Sequence, residues 1–276
     1  MIFDFDDTER LVDIDKHYEN VKQLKNSLSD DREKYRQFSQ ELNLNIRTVE
    51  SCIDTYEKSL LISCYTFSEK SMKNLIYELI DKGNHSNDYT NKFIENKVPS
   101  NKYVPDVRIQ EIEKSISDLE SGFKLILPKN LHEFTIYSEM IRERHSYAHA
   151  YNYLFDFDNF KLVINVLKYL SFEYHLLIDY KEKRRVILLS LQKIKRLSIE
   201  ITKVKRELRS KRYPKIKEIR TEAKKFVERY SDDFMQYELL QPIVGSLREI
   251  SGINLRTPLN EIHDIYSKCE KIKNYL

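Results

Sequence analysis

One short segment of the sequence concentrates side chains that could act on a phosphate group. Residues 141–151 read Ile-Arg-Glu-Arg-His-Ser-Tyr-Ala-His-Ala-Tyr and hold two arginines, two histidines and two tyrosines. An arginine carries a permanent charge and a planar fork of N–H donors that matches phosphate oxygens. A histidine titrates near neutral pH and can take up or release a proton. Together these groups could cleave RNA without a metal, because one moves protons while the other stabilises charge on the phosphorus.

The spacing of arginine and histidine alone is weak support for such a site. Pairs with four to six intervening residues occur at Arg10–His17, Arg142–His149, Arg144–His149 and Arg256–His263. We interpret the first and the last of these pairs as charged positions on ordinary helices. The residues around the Arg144–His149 pair distinguish it from the others.

The hexapeptide Arg144-His145-Ser146-Tyr147-Ala148-His149 resembles the signature of the HEPN superfamily (higher eukaryotes and prokaryotes nucleotide-binding domain). That signature is Arg, then usually Asn, Asp or His, then three residues and His. Upstream, Phe67-Ser68-Glu69 resembles the aromatic-x-Glu of one bacterial branch associated with defence and RNA-processing toxins. The resemblance covers residues 45–180.

This resemblance implies a helical bundle that dimerises, with the Arg and His of each chain at the base of a shared cleft. It implies a metal-independent endoribonuclease of toxin–antitoxin, abortive-infection or CRISPR-linked systems, with tRNA or mRNA as substrate and an antitoxin or regulatory protein as a further partner. Arg144 would stabilise the transition state, and His149 would be the acid or base. His145 would orient the pair, and Glu69 would be a supporting carboxylate.

Tyr151 extends the match to a longer motif in one subgroup: Arg, four residues, His, one residue, Tyr. In that subgroup a nucleotidyltransferase antitoxin attaches AMP to the tyrosine, so Tyr151 is a candidate modification site. The alternative is an ordinary packed tyrosine. His145 and His149 are four residues apart and could bind zinc, but the HExxH pattern needs a glutamate where Ser146 stands, so we expect no metal and no cofactor.

Helical geometry restricts how the central pair can work. Residues five apart on a helix point about 140° away from each other around its axis, so Arg144 and His149 would not share a face. Either the helix begins or breaks between them, with Ser146 as a cap, or two chains complete one site. Arg142 and Arg144 could also be simple surface charges paired with Glu139 and its neighbours.

The composition predicts an all-α fold. The 276 residues are 33% charged and include only four glycines and six prolines, which favours long amphipathic helices. The apolar pattern predicts helices from about Thr8 to Leu28, from Ser29 to Asp81, from Val107 to Gly122, and from Asp158 onward. We divide the chain into an N-terminal helical segment (1–44), a HEPN-like bundle (45–180) and a basic helical C-terminal region (181–276).

The C-terminal region is rich in positive charge. Residues 181–225 hold eighteen Lys and Arg against five Glu, although the net charge of the whole chain is only +3. Such a block attracts phosphates, although it could also be a solvated helix face. A heptad repeat of Ile187, Ile194, Ile201 and Leu208 predicts a coiled-coil-like seam within it. The candidate RNA-binding residues are Arg142, Lys203, Arg206, Arg209 and Arg212.

Several other classes of protein are excluded by the sequence. No apolar run is long enough to span a membrane, and the three cysteines form no CxxC pair, so we expect a cytoplasmic protein with no membrane partner. Two functions remain open. The first is an endoribonuclease acting as a homodimer, and the second is a non-catalytic helical adaptor that binds nucleic acid or protein.

Overall fold

The computed structural model describes residues 7–82, 96, 102–203, 209–253 and 262–276, with side chains for all of these except 203, 209–213 and 262–264. Within these ranges the chain forms ten α-helices and a single 3-10 turn, and no strand occurs there. The all-α prediction is therefore confirmed. The chain divides into two compact units, Met1–Lys124 with Asn130–Ser171, and Leu125–Lys129 with Phe172–Leu276.

The first unit is organised around one long helix. Its helices are α1 (Asp7–Asp30), α2 (Arg32–Glu41), α3 (Ile46–Lys82), α4 (Ile109–Leu119), α5 (His132–Ala150) and the first part of α6 (Phe160–Ile178). The 3-10 turn Phe157–Asn159 precedes α6. Helices α1, α2, α4 and α5 all pack against α3. The buried face of α1 is formed by Leu11, Ile14, Tyr18 and Val21, whose spacing of three and four residues is that of one helix face.

A tight turn separates α2 from α3, so the expected single helix from Ser29 to Asp81 is wrong. Asn43 adopts the left-handed conformation, with φ at 54°. The Asn43 N–H donates to the carbonyl of Gln40, and the Leu44 N–H donates to the carbonyl of Ser39. This is a Schellman motif with Asn at the position that glycine usually holds. Asn45 then starts α3, because its side chain accepts a hydrogen bond from the Arg47 N–H at 2.9 Å.

The second unit is built from the end of α6 and four further helices, α7 (Lys181–Lys203), α8 (Arg209–Met235), α9 (Gln241–Ser251) and α10 (Ile262–Tyr275). Ile187, Ile194 and Ile201 of the predicted seam are buried on α7. Helices α8 and α10 of the same chain pack against α7, so the described part of the seam is covered within the unit. Leu208 of the seam lies outside the described residues. So does Thr257-Pro258, a cap residue followed by proline, which predicts the start of a final helix reaching Tyr275.

A break at residues 179–180 separates α6 from α7, although the apolar pattern predicts that the two are continuous. The Asp179 N–H donates to the carbonyl of His175, and the Tyr180 carbonyl accepts from the Arg184 N–H that opens the next helix. Around this break, the buried Glu173 carboxylate accepts from the Arg184 guanidinium at 3.0 Å and from the Ile126 N–H at 2.6 Å. These bonds tie the segment Leu125–Lys129 into the second unit.

The observed division between the two units does not coincide with the expected domain boundaries at residues 44 and 180. The N-terminal helix α1 belongs to the first unit because its apolar face packs on α3, and the division falls after Ser171, within α6. Among the helices that the structure describes, none is both long and apolar enough to cross a membrane.

Candidate functional site

A hydrogen-bonded tyrosine fixes α5, which carries the Arg/His segment, against α3. Tyr137 of α5 is fully buried and donates its hydroxyl proton to the carbonyl of Val107 at 2.9 Å. The same oxygen forms a short hydrogen bond with the Ser68 hydroxyl of α3. Three segments therefore meet at Tyr137, one helical turn or more before the predicted site. Because the buried hydroxyls of Tyr137 and Ser68 are both hydrogen-bonded, these contacts specify the register of α5 on α3.

Tyr65 of α3 brings two of the predicted site residues together. The guanidinium of Arg144 lies over the Tyr65 ring, with its central carbon 4.3 Å from the ring centroid. The imidazole of His145 meets the same ring edge-to-face, with 5.7 Å between the centroids. Tyr65 is buried, Arg144 is partly exposed and His145 is exposed. The ring thus orients a guanidinium and an imidazole that both remain open to solvent.

Glu69, the predicted supporting carboxylate, joins this group through Tyr65. It lies one helical turn after Tyr65 on α3, within reach of the Tyr65 hydroxyl. Burial, followed by the neighbouring Glu69 carboxylate, raises the pKa of Tyr65 to about 12. Tyr65 therefore keeps its hydroxyl proton at neutral pH. Phe67 and Ser68, the other two residues of that motif, are buried.

A second carboxylate, that of Asp106, lies in the segment before α4. Asp106 accepts hydrogen bonds from the Arg108 side chain, with Nε 3.0 Å from both carboxylate oxygens. The Arg108 guanidinium, and to a smaller extent the charge of His145, lower the pKa of the Asp106 carboxyl. Asp106 thus supplies negative charge beside His145. We call Tyr65, Glu69, Asp106, Arg144 and His145 the Tyr65 cluster.

His149 does not join the Tyr65 cluster within one chain. Helix α5 runs unbroken from His132 to Ala150, so the alternative of a helix break capped by Ser146 is wrong. His149 is exposed in the last turn of this helix, about 140° around the axis from Arg144. The predicted pair therefore points to two different sides of one helix.

Tyr151 follows directly as the cap of α5. It adopts the left-handed conformation, with φ at 53°, and its N–H donates to the carbonyl of Tyr147 at 3.1 Å. Its side chain is 87% exposed, so the alternative of a packed tyrosine is wrong. The candidate modification site is accessible.

The remaining predicted RNA-binding residues are not part of the Tyr65 cluster. Arg142 is exposed and lies 3.7 Å from Glu139. Arg206 lies outside the described residues, and so do the side chains of Lys203, Arg209 and Arg212. Elsewhere in the basic block, several cations are already paired with carboxylates, as Lys193 is with Glu218 and Glu222 at 3.1 Å each.

Tyr65, Asp106 and Arg108 were not predicted as site residues from the sequence. Tyr65 and Glu69 are four residues apart, a spacing that puts them on one face of a helix and could have been noticed. Asp106 carries no such signal because its approach to His145 depends on the fold. Among the described residues, no three His, Cys, Asp or Glu side chains are grouped closely enough to hold a metal ion.

Comparisons of the chain with family models, curated proteins and solved structures found no match.

Proposed function

We propose that this protein is a metal-independent endoribonuclease, active as a homodimer, whose site uses Arg144 and His145 of one chain and His149 of the other. The observation that carries the proposal is the convergence of the Arg144 guanidinium and the His145 imidazole on the Tyr65 ring. The HEPN-like sequence around these residues supports the same chemistry.

Arg144 is suited to bind a phosphate from its position over Tyr65. A guanidinium that stacks on an aromatic ring keeps its in-plane N–H donors directed away from the ring. Those donors can bind two oxygens of one phosphodiester and stabilise the charge that grows on them in the transition state. The stack also lowers the entropy that the long side chain loses on binding RNA.

The reaction needs a base and an acid in addition to Arg144. A base removes the proton from a ribose 2′-hydroxyl, whose oxygen attacks the adjacent phosphorus. The bond to the 5′-oxygen breaks, and an acid returns a proton to that oxygen, leaving a 2′,3′-cyclic phosphate and a 5′-hydroxyl. Two imidazoles can divide these tasks, one acting as the base and the other as the acid.

The second imidazole is His149 of the other chain in this proposal. His149 and Arg144 point to different sides of α5, so a single chain cannot direct both at one phosphate without rearrangement. The exposure of His149 leaves it accessible to a second copy. The biological role that we propose is growth arrest by RNA cleavage, in a toxin–antitoxin or anti-phage system.

The experiment is to incubate the purified protein with total RNA in excess chelator and to identify the product ends. We expect 2′,3′-cyclic phosphate ends, and we expect Arg144→Ala and His149→Ala to abolish both cleavage and toxicity in a host. Arg248→Ala, at an arginine of α9 in the second unit, is the matched control and should cleave normally. Intact RNA, or cleavage that needs added divalent metal, would reject the proposal.

One observation favours the second candidate, a non-catalytic adaptor that binds nucleic acid or protein. Arg144 already has a partner in the Tyr65 ring, and in one chain it points away from His149. An adaptor predicts RNA binding without cleavage, and toxicity, if there is any, that survives both substitutions. The same two variants therefore distinguish the two functions.

A further inference from the structure

An exposed tyrosine ends α5, two residues after His149. Tyr151 adopts φ of 53°, a conformation that residues with a side chain rarely take outside turns. The bond from its N–H to the Tyr147 carbonyl closes the helix at this residue. A glycine or asparagine would satisfy this backbone more easily, so the fold alone does not explain an aromatic residue here.

One neighbouring ring contacts Tyr151, and a third tyrosine contacts that neighbour. The Tyr147 ring meets the Tyr151 ring edge-to-face with 6.5 Å between centroids, and meets the Tyr153 ring in the same way at 6.4 Å. Tyr153 is anchored because its hydroxyl donates to the buried Glu57 carboxylate at 2.5 Å. We call these three residues the tyrosine cluster. One face of its outermost ring, that of Tyr151, is left to solvent.

We infer that Tyr151 is a stacking platform for an unpaired base of single-stranded RNA, a role that deepens the proposed function by naming the form of the substrate. Aromatic side chains bind unpaired bases by stacking, and nearby cations bind the adjoining phosphates. His149, a residue of the proposed site, is exposed on the same helix two residues before Tyr151. Bases locked in a duplex do not offer a free face to such a ring.

Three carboxylates surround the tyrosine cluster, and each is engaged within the chain itself. Glu57 is paired with Lys25 at 2.6 Å, Glu143 accepts from the Leu154 N–H at 3.0 Å, and Asp156 accepts from the Asp158 N–H at 3.1 Å. Lys58 adds a further positive charge, 5.9 Å from the centroid of the Tyr153 ring. The exposed Leu154 beside the cluster could serve a protein contact, which the test below treats as a competing outcome.

The test measures binding of a 2′-O-methyl single strand that contains 2-aminopurine. This probe lacks the 2′-hydroxyl needed for cleavage, so its binding is independent of catalysis, and the fluorescence of 2-aminopurine falls when it stacks. We expect Tyr151→Asn, which tolerates the left-handed backbone, to weaken Kd at least about fivefold and to abolish the quenching. Tyr151→Phe should retain both, and Tyr180→Asn, at an exposed tyrosine of the second unit, is the matched control.

Three results would overturn the inference. They are an unchanged Kd in Tyr151→Asn, an equal loss in Tyr180→Asn, and an equal loss on a duplex of the same sequence. A loss of dimerisation in Tyr151→Asn at unchanged RNA affinity would assign the platform to protein contact instead. Because the probe cannot be cleaved, failure of the ribonuclease proposal is seen separately, as intact unmodified RNA.

Discussion

The guanidinium carbon of Arg144 lies 4.3 Å from the centroid of the Tyr65 ring. This contact joins α5 to α3 at the point where the sequence concentrates its chemistry. It gives the arginine a defined direction, and it makes Tyr65 a positioning residue for the proposed reaction, because the tyrosine itself need not touch RNA.

Removing the Tyr65 ring should impair catalysis through Arg144. We expect Tyr65→Leu to lower kcat/KM for RNA cleavage about 10- to 100-fold, because the guanidinium loses the surface that orients it. Tyr65→Phe keeps the ring and loses only the hydroxyl, so it should retain most of the activity. Steady-state kinetics on a fluorogenic RNA, with circular dichroism as a check of folding, measures this. Equal activity in the Leu variant and the wild type would refute the positioning role.

The raised pKa of Tyr65 predicts how stability depends on pH. The folded protein holds the Tyr65 proton up to about pH 12, whereas a tyrosine in the unfolded chain releases it near pH 10. The unfolded state therefore loses its proton first as pH rises. The contribution of Tyr65 to stability is complete below pH 10 and is lost between about pH 10 and 12.

Urea denaturation between pH 8 and 11.5 tests this dependence. The free energy of unfolding should fall less steeply with rising pH in Tyr65→Phe than in the wild type, because the variant has no proton to lose at this position. Other buried tyrosines affect both proteins alike. Identical slopes for the two proteins would contradict the assignment.

A buried carboxylate anchors the segment that follows His149. Glu57 accepts from the Lys25 ammonium at 2.6 Å and from the Tyr153 hydroxyl at 2.5 Å. We expect Glu57→Leu to lower the free energy of unfolding by about 1–3 kcal/mol, because the Tyr153 hydroxyl loses its acceptor. Glu50→Leu, which removes the partner of the exposed Arg32, should change it by less than about 1 kcal/mol. Urea denaturation measures both variants. Similar decreases in their free energies of unfolding would contradict this role of Glu57.

The sequence predicts the helices well where their ends carry chemical signals. The first helix was expected over Thr8–Leu28 and is observed over Asp7–Asp30. The turn at Asn43 was missed because it contains neither Gly nor Pro, although Asn at the left-handed position and Asn45 as a cap are recognisable signals. The break at residues 179–180 was missed because it contains neither Gly nor Pro, although no aliphatic residue occurs between Ile178 and Val186.

Much less of the candidate site could be predicted. Arg144, His145 and Glu69 were found because the types and order of residues mark them, and the fold brings all three to Tyr65. The role of Tyr65 depends on the packing of α5 on α3, which no local pattern encodes. The direction of His149 followed from helical periodicity once α5 was known to be unbroken.

The buried pair Glu173–Arg184 should be the electrostatic anchor of the second unit. Its guanidinium and carboxylate are 3.0 Å apart, with side-chain exposures of 7% and 0%. We expect Glu173→Leu to lower the free energy of unfolding by about 3–5 kcal/mol, because it removes the charge that balances Arg184 in the interior. Glu182→Leu breaks the exposed ion pair between Glu182 and Arg185 and should lower the free energy of unfolding by less than about 1 kcal/mol.

A double variant separates charge imbalance from lost packing at this pair. Replacing both Glu173 and Arg184 with Met should recover most of the stability lost in Glu173→Leu, since no charge is then left buried. Thermal unfolding monitored by circular dichroism measures all four proteins. A double variant as unstable as the single one would show that the pair matters for its shape and not for its charge balance.

The most direct test of the central claim is to mix two inactive variants, Arg144→Ala and His149→Ala, and to assay RNA cleavage after subunit exchange. If two chains build each site, a mixed dimer holds one site with both residues, and a random mixture should recover about a quarter of wild-type activity. Mixing Arg144→Ala with His145→Ala should recover nothing, because those two residues act from the same chain. Failure of the first mixture to cleave RNA, with both variants folded and exchanging subunits, would contradict the account.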